Sequence, residues 1–378
     1  MSERAALEAI FGEALSAVHG GRAVERSLRE RDPGDLRWTL LAAGKAACAM
    51  AEGARAVLGE RIRAGWVVTK DGCARSVAGL DVREAAHPLP DARSAAAAEH
   101  ALEVARSLGP GDGLLVLLSG GASALWAAPV PGVSLAAKSE TTSLLLRAGV
   151  DIEGLNAVRR ALSRIKGGGL ARACAADRLL TLAVSDVADD RPTTIGSGPT
   201  APACASPARA LEVVRAAGVA AALPSAVRAH LEASAEQAVA VASCHEPAPA
   251  EYRVVASLAQ GLDAAGRAAA ARGLEVHRFE ARLEGEAREL ARTLAAAARR
   301  ARATGADLLI AGGEPTVVVR GSGTGGRAQE LALAFALETA GDAQLAGLFA
   351  GTDGSDGPTD AAGAYVDPEL LARGVASA

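Results

Sequence analysis

Apolar runs that end in glycine, serine and carboxylates mark strand ends opening onto a polar ligand, and this chain has five of them. They are Ala43-Gly44-Lys45, Ser119-Gly120-Gly121-Ala122-Ser123, Ser185-Asp186, Gly312-Gly313-Glu314 and Gly351-Thr352-Asp353-Gly354-Ser355-Asp356-Gly357. In open α/β sheets, ligands bind beyond the carboxyl ends of the strands, so these loops are the first candidates for chemistry. The Ser119–Ser123 loop leads toward a helix start, where backbone N–H groups favour an anion. An ordinary tight βα turn has the same composition. Lysine is scarce: among 40 basic residues only Lys45, Lys70, Lys138 and Lys166 are lysines. Lys45 and Lys166 lie beside glycines, where a compact ammonium can reach a phosphate, although biased base composition would also leave a few lysines at random.

Gly321-Ser322-Gly323-Thr324-Gly325-Gly326 matches GxGxxG and precedes a helical pattern carrying Arg327, Gln329 and Glu330. A dinucleotide site wants a ribose-binding acid about 20 residues further on. The nearest strand-end acid, Asp353, is too distant, and a solvated hairpin loop fits the same residues. Arg327, at the helix start, suits stabilisation of charge on a transferring group. Asp353, Asp356 and Asp360 lack the terminal Glu of a calcium loop. Asp353 is expected to hold Mg²⁺ or orient a hydroxyl, with turn-making and capping as the role of at least one of the three. There is no GxxxxGK[ST], no protein-kinase signature set and no GxSxG elbow. His87, in Ala-His-Pro-Leu-Pro-Asp, reads as a structural loop histidine.

These loops need strands and helices to hold them. Short β-like runs near 37–43, 65–69, 114–118 and 180–185 alternate with helical patterns near 3–17, 45–58, 91–108, 134–148 and 151–164. Two more helices, near 206–217 and 222–234, lead to the Pro- and Ala-rich run CHEPAPAEY at 244–252, the expected domain boundary. Beyond it the runs RVVAS, EVHRF, DLLIAGG, TVVVRG and LAGLFAG alternate with helices near 258–272, 284–303 and 328–339. The expected fold is therefore α/β: a Rossmann-like, mainly parallel sheet between helices over 1–245 and a second α/β domain over 246–378. A chain of 378 residues accommodates two domains.

Composition narrows the partners. Hydrophobic residues make up 50% and aromatics 2%, so base stacking has few platforms, and a formal charge of -4 gives no footprint for nucleic acid or an anionic membrane. No apolar run approaches ~18 residues, and the opening MSERAALEAIFGEAL is charged and amphipathic rather than signal-like. The five cysteines show no CxxC pair and no zinc spacing, which points to reducing cytoplasm. A small molecule is the expected partner.

Taken together, the loops resemble a family. Leu-Ala-Ala-Gly-Lys45-Ala, His87-Pro-Leu-Pro-Asp91, Leu-Leu-Ser119-Gly-Gly-Ala-Ser-Ala, Asn156-Ala-Val-Arg-Arg-Ala-Leu-Ser163-Arg-Ile-Lys166-Gly-Gly, Val-Ser-Asp186-Val, Gly-Ser197-Gly-Pro-Thr, Gly-Gly-Glu314-Pro-Thr, Gly-Gly-Arg327-Ala-Gln329-Glu330 and the GTDGSDGPTDAAGA ending are similar to the glycerate 2-kinases with a C-terminal MOFRL domain. The similarity is collinear from about residue 5 to the end.

The resemblance implies phosphorylation of D-glycerate by ATP with Mg²⁺, at the 2-hydroxyl, in a cleft between two α/β domains. It implies Lys45, Arg327, Asp186 and Asp353 as catalytic, and Ser119, Gly120, Gly121, Ser123, Asn156, Lys166, Ser197, Glu314, Gln329 and Glu330 as substrate- or nucleotide-binding. Asp186, Glu314 and Asp353 become the candidate metal ligands, and a homodimer is compatible with the resemblance. This chain departs from the family pattern at Ala122, where the family has a glycine, at Ala256-Ser257-Leu258, where it has Gly-Ser-Asn, and at Ala328, where it has an asparagine. Those departures motivate a non-catalytic, phosphometabolite-binding alternative, and GSGTGG motivates an NAD(P)-dependent hydroxypyruvate reductase.

Overall fold

A computed structural model describes residues 2–201, 206–240, 250–371 and 373. Two compact units divide the chain: His19–Ser257, and Met1–Val18 together with Leu258–Ala378.

The His19–Ser257 unit is built on a sheet of six strands, β1 (Arg37–Ala43), β2 (Ile62–Lys70), β3 (Asp81–Ala85), β4 (Asp112–Leu118), β5 (Arg178–Val184) and β6 (Ala250–Ala256). Every pairing is parallel, and the order is β3-β2-β1-β4-β5-β6. Strands β1 and β4 are buried over six consecutive residues each, as expected where helices cover both faces of a parallel sheet. Leu114, Val116 and Leu118 face one core cluster with Leu102, Leu125 and Ile165.

The strand order reverses between β1 and β4. That is the switch point at which connections leave in opposite directions and open a crevice beyond the strand ends. From β4 the chain makes a long excursion before β5, through helices at Leu135–Arg147, Ile152–Ala161 and Gly169–Ala173. On one face, helices Gly20–Glu30 and Ala47–Leu58 come so close that a methyl on Gly53 would lie 2.2 Å from the Gly21 carbonyl oxygen.

The expected boundary moves. RVVAS, read as the first strand of a second domain, is the end of β6 and pairs with β5 in register from Leu179 opposite Ala250. The parallel sheet offers its open edge to this apolar run, which reading along the sequence does not reveal. Residues 244–249 of the CHEPAPAEY run lie outside the described residues. At the other end, helix Glu3–Val18 belongs with the C-terminal residues, because Ile10 is buried against Ala265, Ala268 and Ala269 of helix Leu258–Ala270.

The rest of that second unit contains helices Ala287–Ala303 and Arg327–Glu338 and three two-stranded sheets: Leu283–Glu286 with Gly313–Thr316, Val276–Arg278 with Leu308–Ile310, and Gly347–Ala350 with Gly363–Val366. TVVVRG is not a strand. The strand ends at Thr316, because its partner turns into a helix at Ala287 and offers no further hydrogen bonds, leaving Val318 and Val319 exposed.

The Gly21–Gly53 approach yields a stability prediction. Gly53→Ala forces the two helices apart and should cost about 1–3 kcal/mol, read from urea unfolding of the purified protein.

Candidate active site

The β1 and β4 ends are stitched together at the switch point. The Ser119 N–H donates to Ala43 O (3.1 Å), Lys45 N–H donates to Gly120 O (2.8 Å) and Ala46 N–H donates to Ser119 Oγ (3.1 Å). Gly44 sits at φ 135°, and a methyl there would lie 2.1 Å from Ser119 Oγ, so the contact requires glycine. Ser119, expected in the anion loop, is 2% exposed and accepts a bond that positions the turn carrying Lys45.

The next two residues gather the expected chemistry. A methyl on Gly120 would meet Asp186 Oδ2 at 2.6 Å; one on Gly121 would meet the His87 ring at 3.0 Å and Lys45 Cγ at 3.7 Å. Lys45, Ser119–Gly121 and Asp186 therefore come together, and His87, read as structural from the sequence, joins them. Gly121 adopts the left-handed region at φ 88°, whereas Ala122 begins a helical turn, so the extra methyl at 122 meets no backbone penalty.

Only one helical turn follows, Ala122–Leu125, so the positive potential expected of a helix start is small here. Side chains supply it instead. Lys166 Nζ donates to Ser123 O (2.6 Å) and Ser123 Oγ (2.5 Å); Arg159 Nη2 donates to the same Oγ at 2.6 Å; and Ser123 Oγ lies 2.9 Å from Ser197 Oγ. Arg159 Nη1 reaches Asn156 Oδ1 at 3.5 Å. Ser197 holds φ 64°, a strained value for a side-chain-bearing residue. Nearby stands Lys138, 6% exposed, whose Nζ finds no hydrogen-bond partner among the described residues.

Burial lowers the affinity of these groups for protons. Lys138 falls to about 7, through desolvation first and the charge of Arg159 second. Lys166 falls well below its ordinary value, by desolvation and then by repulsion from Arg159 and Lys138, and Arg159 is lowered by desolvation. Of this set the sequence pointed to Ser123, Asn156, Lys166 and Ser197. It missed Lys138, for which lysine scarcity was a usable signal, and Arg159, one arginine among many.

In the C-terminal unit Arg327 Nη1 donates to Glu314 Oε1 at 2.9 Å. Gln329 Nε2 donates to Thr359 Oγ1 at 2.9 Å, and Glu330 pairs with Arg288 across two helices, so both are engaged within the fold. Asp353 is exposed on the loop after Gly347–Ala350. Among the described residues no group of three or more His, Cys, Asp or Glu side chains is gathered as a metal site. Mg²⁺ commonly keeps several waters and takes one or two carboxylates plus substrate phosphates, and single strand-end carboxylates such as Asp186 and Asp353 suit that mode.

Residues 6–232 match the model described as Domain of unknown function (DUF4147), and residues 307–378 match the MOFRL family. The D-glycerate 2-kinase of Thermotoga maritima is 37% identical over 95% of this chain and 84% of its own. The chain belongs to the glycerate 2-kinase family. A crystal structure of a glycerate kinase (EC 2.7.1.31) from Thermotoga maritima superposes with a TM-score of 0.83 at 35% identity, covering 98% of this chain and 89% of that one. A protein of Agrobacterium vitis, provisionally named a hydroxypyruvate reductase, is 37% identical over 99% of this chain and 85% of its own.

Within this family frame the GSGTGG loop does not act as a dinucleotide fingerprint. The first N–H groups of helix Arg327–Glu338 are taken by Asp356, whose Oδ1 accepts from Ala328 N–H (2.9 Å) and Oδ2 from Gln329 N–H (2.8 Å). A pyrophosphate would need those donors. The absent amide at 328 is likewise of little consequence to this capping, which uses the backbone.

The depressed lysines predict a pH dependence. The unfolded chain holds the Lys138 proton up to about pH 10.4, the folded one only up to about 7. Between these values the unfolded state binds more protons, so folding stability rises with pH, and the penalty is fully present below about 7. Urea midpoints of the ligand-free protein should rise across this window, and Lys138→Met should flatten the rise.

Proposed function

We propose that the protein transfers the γ-phosphoryl group of ATP to the 2-hydroxyl of D-glycerate, giving 2-phosphoglycerate and ADP, in the cytoplasm and with Mg²⁺. The observation that carries this reading is the convergence of Lys45, Asp186 and the Ser119–Ser123 loop at the switch point of a parallel sheet. Family membership supports it, since relatives carry the names D-glycerate 2-kinase and glycerate kinase. The scattered cysteines, with Cys48, Cys73 and Cys174 free, agree with a reducing compartment.

Phosphoryl transfer asks a protein mainly for positioning and charge neutralisation. Asp186 takes the proton as the acceptor oxygen bonds to phosphorus and the bond to the β-phosphate oxygen breaks. Lys45 neutralises charge on the phosphoryl oxygens, and in the C-terminal unit Glu314 holds the Arg327 guanidinium in orientation. Asp186, Glu314 and Asp353 are the candidate carboxylates for Mg²⁺, which when bound neutralises the nucleotide's phosphates.

A coupled assay for ADP release with D-glycerate, ATP and Mg²⁺ tests the reading, with phosphorus NMR distinguishing the 2- from the 3-phosphate. No ADP release with any small hydroxy acid would end it, and NADPH oxidation by hydroxypyruvate would favour the reductase. Lys45→Ala and Arg327→Ala should each lower kcat/KM at least ~100-fold.

A further inference from the structure

We propose that Lys138, Arg159 and Lys166 together form the seat of the acceptor's carboxylate, making the site selective for hydroxy acids over neutral polyols. The assignment rests on the kinase reading for the identity of the acceptor, but its physical basis is independent of it. Lys138 and Lys166 are 6% and 2% exposed, Lys138 is repelled by Arg159, and Lys166 is repelled by Arg159 and Lys138. A buried cation normally has an acid beside it, because the cost of desolvation otherwise falls on the fold. Here no such acid is paired with them among the described residues, so the lysines hold their protons weakly until an anion supplies the counter-charge.

Geometry selects its chemistry. Two of the cations already converge on Ser123 Oγ, with Ser197 Oγ at 2.9 Å, and the unpartnered Lys138 Nζ adds donors that the described residues leave unused. A guanidinium has five N–H donors in a planar fork matched to a carboxylate, and Arg159 commits only part of them to Ser123 and Asn156. Burial this deep favours a small planar anion over a chain of phosphates. Along the loop, Ser123 stands three residues beyond Gly120, which abuts Asp186. An acid seated by its carboxylate at Ser123 thus has its hydroxyl on the side of the loop that Asp186 approaches.

Isothermal titration of D-glycerate without nucleotide, and separate titrations of glycerol and of ATP, test the proposal on the wild type and Lys138→Met. The variant swaps the buried charge for an apolar side chain of similar length, so the ligand-free protein should melt no lower than the wild type. D-glycerate should bind the variant at least ~10-fold more weakly, with KM raised in the same proportion and the KM for ATP unchanged. Glycerol should distinguish the two proteins not at all. Unchanged D-glycerate affinity in a folded variant overturns the assignment, as does loss of ATP binding with D-glycerate binding intact. If D-glycerate binding depends on Lys138 but no phosphoryl group is transferred, the kinase reading fails and the carboxylate seat stands. Transfer with a KM indifferent to Lys138 overturns the seat and leaves the kinase reading in place.

Discussion

Basic side chains taken out of water around Ser123, with no acid paired to them among the described residues, are the constraint on which much of the His19–Ser257 unit depends. Such charge is among the costliest things a fold can bury, and it persists only when surrounding structure over-determines it. The surroundings do so here. Lys166 is fixed by two bonds to Ser123, Arg159 by Ser123 and Asn156, and Ser197 is held in a left-handed conformation with its hydroxyl on Ser123. The long excursion between β4 and β5 carries Asn156, Arg159 and Lys166 to Ser123, and Ser197 reaches it from beyond β5.

The sheet determines where that loop stands. Because the strand order reverses between β1 and β4, this is the switch point of the sheet, and backbone bonds from Ser119 to Ala43 and from Lys45 to Gly120 hold the two exits side by side. Gly44 lets the β1 exit close onto Ser119, and Gly120 lets Asp186 approach the β4 exit. The apolar runs that build the strands and the small residues that end them are thus one design: a rigid scaffold carrying backbone that side chains can approach closely.

The C-terminal unit uses similar residues with a different result. Its glycine-rich loop resembles an anion-binding fingerprint in sequence, yet Asp356 supplies the anion from within the chain. Arg327, at the start of the same helix, is left to Glu314 at 2.9 Å, which orients a cation rather than neutralising it in a dry interior, since both side chains remain partly exposed.

By itself the sequence determined the elements and the chemical vocabulary. Buried strands such as LLVLL and amphipathic helices are local patterns, and glycine with serine or aspartate at a strand end has a local conformational cause. Long strings of matching residues also carried the family. What only the tertiary structure decided depends on partners far apart in the chain. RVVAS joins the first sheet because β5 offers an edge, Glu3–Val18 joins the C-terminal residues because Ile10 finds its core there, and TVVVRG is no strand because its partner ends. The same holds for the site: the burial of Lys138 beside Arg159 and Lys166 is a property of what surrounds them and not of their neighbours in sequence, and His87 joins Lys45 only because both come up against Gly121.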